Sequence, residues 1–278
     1  MKIIDTLFKE IAFNLIDKFI RVFILNKNSL RVLIFHDIQN SIQFNTFKKL
    51  ISKLSKDYEF ISPEEFEKFQ KDQKVTGKKL LVTFDDGFIS NIHAAKYLNK
   101  LNIKALFFIV SDFVGLSVNS KKYKKIISNI YPNNLTEDKL SKPLGNKDIG
   151  YLIKLGHTIG CHTSTHRRLS KLKNIKDLEF EVLKSKTKIE TMFKIKIDHI
   201  AYPFGDFKSV DFASLKYISK HFNFIHSGLR GNNLGKKKLI KRDAINLDYK
   251  ISRLEKFLAG AADLIYKRYY NKLNNYLN

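Results

Sequence analysis

Seven short apolar runs, several of them separated by stretches of helical periodicity, constrain this chain more than any other feature of its sequence. They cover residues 31–38, 58–62, 78–84, 104–110, 157–162, 198–204 and 222–228. Helical patterns fall at 91–101 and 175–193. Strands alternating with helices predict parallel strands joined by crossover helices, as in a barrel or a doubly wound sheet. Seven candidate strands favour an α/β barrel.

At 278 residues and 44% hydrophobic content the chain supports one large domain with a substantial core. The pattern divides it into an N-terminal amphipathic helix (1–30), a catalytic-type domain (31–248) and a C-terminal helix (249–278). Within the domain, 111–149 is polar, rich in Lys and Asn, and predicts an inserted loop with a short helix near an active-site rim. In the first 25 residues Ile4, Leu7, Phe8, Ile11, Leu15, Phe19, Val22 and Phe23 gather near one helical face. That face is expected to pack on the domain, with peripheral membrane contact as the alternative.

The net charge of +24 would attract nucleic acid, anionic headgroups or an acidic polymer. Lysine is spread over almost the whole length, however, so charge alone identifies no partner. No basic and aromatic module of a nucleic-acid binder is present, and no nucleic acid is expected. The lone Cys161 excludes an internal disulfide and any multi-cysteine metal site. There is no run of 18 apolar residues, and Lys9, Glu10, Asp17 and Lys18 interrupt any secretory signal. A cytoplasmic location is therefore expected, with membrane association as an option.

The stretch LLVTFDDGFISN places Asp85 and Asp86 just beyond a strand. Asp-Gly is common in turns, which is one reading. The other assigns one carboxylate to a cation and its neighbour to proton transfer, with further ligands elsewhere. Those ligands are found in GHTIGCHTSTHRRLS, where His162 and His166, four apart, would face one way on a helical turn. Two imidazoles and one carboxylate leave positions open for water and substrate, as a catalytic metal site requires. Zinc is the expected ion, with cobalt or nickel as alternatives. His157, His199 and His221 are assigned structural or solvated roles, and His93 an outer helix face.

Taken in order, TFDDG (83–87), HTSTH (162–166) and AYPFG (201–205) resemble the polysaccharide deacetylases of carbohydrate esterase family four, which share the nodulation-factor deacetylase homology domain. The resemblance runs from about Arg31 to Asp243. It implies a distorted (β/α)7-type barrel, a metal held by Asp86, His162 and His166, and Asp85 as general base. It also implies an oxyanion and substrate site at Tyr202, Pro203 and Phe204, with the Phe204 N–H as donor.

Two positions depart from the family pattern. Ala201 stands where many members carry an arginine that holds the base, and Arg242 in LIKRDAI is the candidate replacement. The late histidine that serves many members as general acid has no clear match. His36, in VLIFHDI, resembles the acid that a rearranged, exopolysaccharide-active subgroup draws from an early strand; His226 is second choice.

The activity implied is hydrolysis of an N-acyl group, acetyl in the first instance, from an amino sugar of a glycan or a lipid-linked oligosaccharide. Deformylation of an N-formyl amino sugar, or glycan binding without turnover, are the alternatives.

Overall fold

The computed structural model describes residues 28–277 except 72–73, 133–140 and 261. The expected N-terminal helix lies outside the described residues. The strands are β1 (Ser29–Phe35), β2 (Glu59–Phe60), β3 (Lys78–Phe84), β4 (Ala105–Ile109), β5 (Thr158–Cys161), β6 (His199–Ala201), β7 (Phe224–His226), β8 (Leu239–Ile240) and β9 (Asp243–Ala244). Around them lie α1 (Ser41–Leu54), α2 (Pro63–Lys71), α3 (Asn91–Lys100), α4 (Lys121–Ile130) and α5 (Asn146–Lys154). There follow α6 (Ile175–Glu179), a π-helical turn (Phe180–Lys184), α7 (Ser185–Phe193), α8 (Phe212–His221), α9 (Ile251–Leu258) and α10 (Asp263–Asn275).

All the strand pairs are parallel, in the order β8-β7-β6-β5-β4-β3-β1-β9, with β2 against β3. This is the distorted (β/α) barrel. The strand sequences are nearly all apolar because helices cover one face and the barrel interior fills the other. Alternation sorts them: Leu33, Phe35, Leu80, Val82, Phe84, Ala105, Phe107 and Ile109 face the helices. Their neighbours Leu30, Val32, Leu81, Leu106 and Phe108 belong to separate inner clusters. Phe66 of α2 joins Leu30, Val32 and Leu81, filling the interior beneath the site.

Both two-residue strands that the sequence did not reveal belong to one run, 239–244. Leu239 and Ile240 pair with Ile225 and His226, whereas Asp243 and Ala244 pair with Leu33 and Ile34. One short segment thus joins β7 to β1 and closes the barrel. Buried Asn233 fastens it, since its side chain bonds the Lys241 N–H and carbonyl and the Leu30 carbonyl.

The insertion holds more structure than expected. Ser120 caps α4 by accepting the Tyr123 N–H, and Tyr123, Ile126, Ile127 and Ile130 form a helical stripe packed on Phe88 and Phe113. The far end of the insertion is pinned to the loop after β3 by Ile89 N–H to Lys142 O (2.8 Å) and Leu144 N–H to Gly87 O (2.8 Å). The single C-terminal helix expected at 249–278 is two helices, broken at Gly260, whose φ of 100° a helix cannot contain.

Arg31, 2% exposed, ties these helices to the barrel. It donates to both oxygens of Asp243 (2.9 and 2.7 Å), to Asp263 of α10 (2.7 Å) and to the Phe257 carbonyl of α9 (3.0 Å). Arg31→Met leaves the buried Asp243 carboxylate only the 3.5 Å contact of Arg230 and is expected to destabilise by about 3–5 kcal/mol in urea unfolding; adding Asp243→Leu should recover much of that. His157 generates a pH prediction. It accepts the Ala105 N–H through Nδ1, and burial pulls its pKa down to about 4 from 6.5. The unfolded chain therefore takes up the proton first, so stability falls as pH drops from about 6.5 to about 4, by an order of 2–3 kcal/mol. Unfolding of His157→Gln across that range should show a correspondingly shallower loss than wild type.

Candidate active site

The inner-facing register of β3, Leu81 then Thr83, continues to Asp85, whose N–H donates to the Phe35 carbonyl at 2.9 Å. Strand alternation would send Asp86 to the opposite face. It does not, because Asp86 adopts φ 75° and Gly87 φ 85°, turning the chain so that both carboxylates line one cleft. Asp85 and Asp86 are 4% and 3% exposed.

Arg242, from the segment that closes the barrel, grips Asp85 with both terminal nitrogens, Nη1 to Oδ1 at 2.7 Å and Nη2 to Oδ2 at 2.8 Å. Its Nε donates to the Ser227 carbonyl (2.9 Å), Nη1 also reaches Thr83 Oγ1 (3.2 Å), and the guanidinium lies over Phe108. Burial works against ionising Asp85. The Arg242 charge, with His162 adding to it, outweighs burial and holds the pKa below the ordinary aspartate value.

His162 and His166 follow β5 on an irregular loop rather than the expected helical turn. Thr163 and His166 take φ of 66° and 60°, which no α-helix accommodates. The loop is shaped by its bonds: Thr163 Oγ1 accepts the His166 N–H, and Ser164 donates to the carbonyls of Phe180 and Glu181. The Glu181 carboxylate accepts from both the N–H and the hydroxyl of Thr165. The π-helical turn is what presents these groups to the loop.

The two imidazoles converge on Asp86. Each Nε2 lies 3.4 Å from Asp86 Oδ1, and Oδ1 is buried without a hydrogen-bond partner. The other ring nitrogens are occupied, His162 Nδ1 by the Ala201 carbonyl (2.7 Å) and His166 Nδ1 by the Asn129 carbonyl (3.3 Å). A carbonyl only accepts, so Nδ1 carries the hydrogen and Nε2 of the neutral ring offers a lone pair towards Asp86. Burial depresses His162, but Asp85 and Asp86 outweigh it and its pKa lies above the ordinary histidine value. At His166 burial prevails and pulls the pKa down to about 4. Burial also opposes ionisation of Asp86, yet the surrounding imidazoles hold its pKa far below normal. Among the described residues, Asp86, His162 and His166 form the one group of three or more His, Cys, Asp or Glu side chains close enough to hold a metal ion.

The third motif supplies another wall. Phe204, at φ 66°, lines the cleft against the His166 ring (4.9 Å), and its N–H donates to no group among the described residues. Gly205 cannot be replaced cheaply, since a Cβ there would lie 2.5 Å from the Gly228 nitrogen. Tyr202 and Pro203 are buried behind this turn, and the Tyr202 hydroxyl donates to the Gly205 carbonyl (3.0 Å). His36, exposed just beyond β1, lines the same cleft of about 360 Å³. His226 does not line it; it is fully buried, with Nε2 2.9 Å from His199 Nδ1.

Sequence reasoning missed Glu181, Asn129 and Tyr131. The first two act through backbone carbonyls and a buried carboxylate, and carry no motif. Tyr131, at the end of α4, also lines the cleft; burial, then the Asp86 and Asp37 carboxylates, push its hydroxyl pKa up and keep it protonated.

Comparison with known proteins agrees with this architecture. The polysaccharide deacetylase family model matches residues 72–217, more than half of the chain. YxkH of Bacillus subtilis (strain 168), described as a polysaccharide deacetylase, is 25% identical over 183 residues. That match covers 63% of this chain and 57% of YxkH, so little more than half of the relative's length is spanned. IcaB from Ammonifex degensii shares the fold, with a TM-score of 0.64 at 20% identity over 85% of this chain and 97% of that one. A de-N-acetylase from Aggregatibacter actinomycetemcomitans does so with a TM-score of 0.65 at 14% identity, over 83% and 100%. The matched segment, more than half of the chain and carrying all three motifs, establishes that this chain belongs to the polysaccharide deacetylase family.

Proposed function

We propose that this protein is a metal-dependent amidohydrolase that removes the N-acetyl group from an amino sugar of a glycan or a lipid-linked oligosaccharide. The observation that carries the reading is the unpartnered, buried Asp86 Oδ1 facing the Nε2 atoms of His162 and His166, beside a second carboxylate, Asp85, gripped by an arginine. The donor set fits a divalent transition ion: two neutral-capable imidazoles with fixed tautomers and one carboxylate of very low pKa. Zinc is the first choice, cobalt or nickel the alternatives. Such an ion would supply Lewis acidity for the acyl carbonyl and lower the pKa of water.

The remaining roles fall to the chain's own groups. Asp85, ionised and oriented by Arg242, accepts a proton from the attacking water as its oxygen bonds to the acyl carbon. The Phe204 N–H, on the turn shaped by Tyr202 and Pro203, donates to the carbonyl oxygen as negative charge develops there. His36, across the cleft, passes a proton to the sugar nitrogen as the carbon–nitrogen bond breaks. Products are the free amine and acetate. Arg242 occupies the position beside Asp85 that Ala201 leaves without a cation, which favours turnover over glycan binding alone. Among the described residues no helix is long and apolar enough to cross a bilayer.

Elemental analysis after reconstitution should find near-stoichiometric metal in wild type and little in His162→Ala. Asp85→Asn should retain the metal while losing about 10²–10⁴ in kcat on acetylated amino sugars. Full activity of Asp85→Asn would overturn the base assignment, and absence of metal from reconstituted wild type would overturn the whole reading. His36→Ala should slow amide hydrolysis far more than hydrolysis of an activated acetate ester, whose leaving group needs no proton; equal losses would remove His36 as the acid.

A further inference from the structure

Among the described residues that line the catalytic cleft, Tyr131 alone carries a hydroxyl. It follows the last residue of α4, the helix of the 111–149 insertion, and its side chain is half-buried. It lines the cleft of about 360 Å³ and, with His36 and Ala244, the junction with an adjoining cleft of about 650 Å³ walled by α9 and α10.

Three sets of contacts fix where it stands. Its ring stacks on Phe88, with centres 6.1 Å apart and planes at 26°, and Phe88 directly follows the TFDDG turn. Two residues earlier, Asn129 grips the histidine loop twice: its Nδ2 donates to the Thr165 carbonyl (2.8 Å) and its carbonyl accepts from His166 Nδ1 (3.3 Å). The Tyr131 N–H itself completes the last turn of α4 on the Ile127 carbonyl (2.9 Å). The ring is therefore placed relative to Asp86 and His166 before any ligand arrives.

The hydroxyl, by contrast, is unused: it makes no hydrogen bond among the described residues. A phenol is protonated at neutral pH, and burial, with the Asp86 and Asp37 carboxylates, pushes this one further up. The group offers a hydrogen bond without giving up its proton.

Amide hydrolysis makes three demands of such a site. The attacking water needs an acceptor for its proton, which Asp85 supplies, and the departing nitrogen needs a proton delivered, which His36 supplies. The acyl oxygen needs donors while it carries negative charge, and the Phe204 N–H supplies one. Of these three, a phenol that keeps its proton fits only the last, and an oxyanion has lone pairs for a second donor.

We propose that Tyr131 is a further catalytic residue, whose hydroxyl donates to the acyl oxygen alongside the Phe204 N–H. This rests on the amidohydrolase reading above. As the water oxygen bonds to the acyl carbon, the π pair of the carbonyl moves onto its oxygen, where both donors meet it, and the water proton goes to Asp85. As the carbon–nitrogen bond breaks, that pair returns to re-form the carbonyl and His36 protonates the nitrogen. No proton leaves Tyr131 at any step.

The test uses the metal-reconstituted full chain, wild type and Tyr131→Phe, on β-1,4- and β-1,6-linked tetrasaccharides of N-acetylglucosamine and on their N-thioacetyl counterparts. Phenylalanine keeps the ring against Phe88 and removes only the donor. The expected result on the acetylated substrate is a kcat lower by about 10–100-fold, with KM changed by less than about threefold and metal content equal to wild type. On the thioacetylated substrate, whose sulfur accepts hydrogen bonds weakly, the loss should shrink to about threefold or less. An unchanged kcat overturns the assignment, and so does a rise in KM alone, which would put the hydroxyl on the sugar. An equal loss on oxygen and sulfur substrates, or a loss that accompanies missing metal, overturns it by making Tyr131 structural. In each of these cases wild-type turnover leaves the amidohydrolase reading standing, whereas turnover of no acetylated amino sugar by wild type sinks both.

Discussion

The double hydrogen bond between Arg242 and Asp85 is the interaction on which the rest of the site depends. It is buried, with the arginine 1% and the aspartate 4% exposed, and a buried charge pair is tolerable only when both members are fully bonded. Arg242 satisfies this by donating also to Ser227 and Thr83. It sits between β8 and β9, in the six-residue run that joins the two edges of the sheet. Barrel closure and the ionised state of Asp85 therefore have one structural cause.

Backbone strain is concentrated around the same point. Of six non-glycine residues with positive φ among the described residues, Asp86, Thr163, His166 and Phe204 belong to the cleft or to the loop that forms it. Such conformations persist only where surrounding bonds over-determine them. Here the clamp is visible: Glu181 and the π-helical turn hold the 163–166 loop, the insertion pins the loop after Asp86, and the Gly205–Gly228 contact fixes the turn at Phe204. The rigid strands supply position, and the strained loops supply direction.

Segments outside the strands contribute where the cleft opens. The 111–149 insertion brings Asn129 to His166 and Tyr131 to the cleft, while α9 and α10 extend the wall beyond it. The barrel strands thus carry loop and helix surroundings, and such segments are where discrimination between ligands commonly arises.

By itself the sequence determined the barrel class, the places of seven strands and the identity of the residues around Asp86. These are legible because period-two burial, crossover spacing and motif chemistry are all local patterns. It misread the His162–His166 segment as a helical turn, because four-residue spacing is silent about positive φ. It passed over β8 and β9, because Leu239–Ile240 and Asp243–Ala244 are set among Lys236, Lys237, Lys238, Lys241 and Arg242 and form no apolar run. Only the tertiary structure decided which cation faces Asp85, which carbonyls set the histidine tautomers and which helices wall the adjoining cleft. Those contacts join residues up to 232 positions apart, as Arg31 and Asp263 are, and such pairings are created by chain closure rather than by any neighbouring sequence.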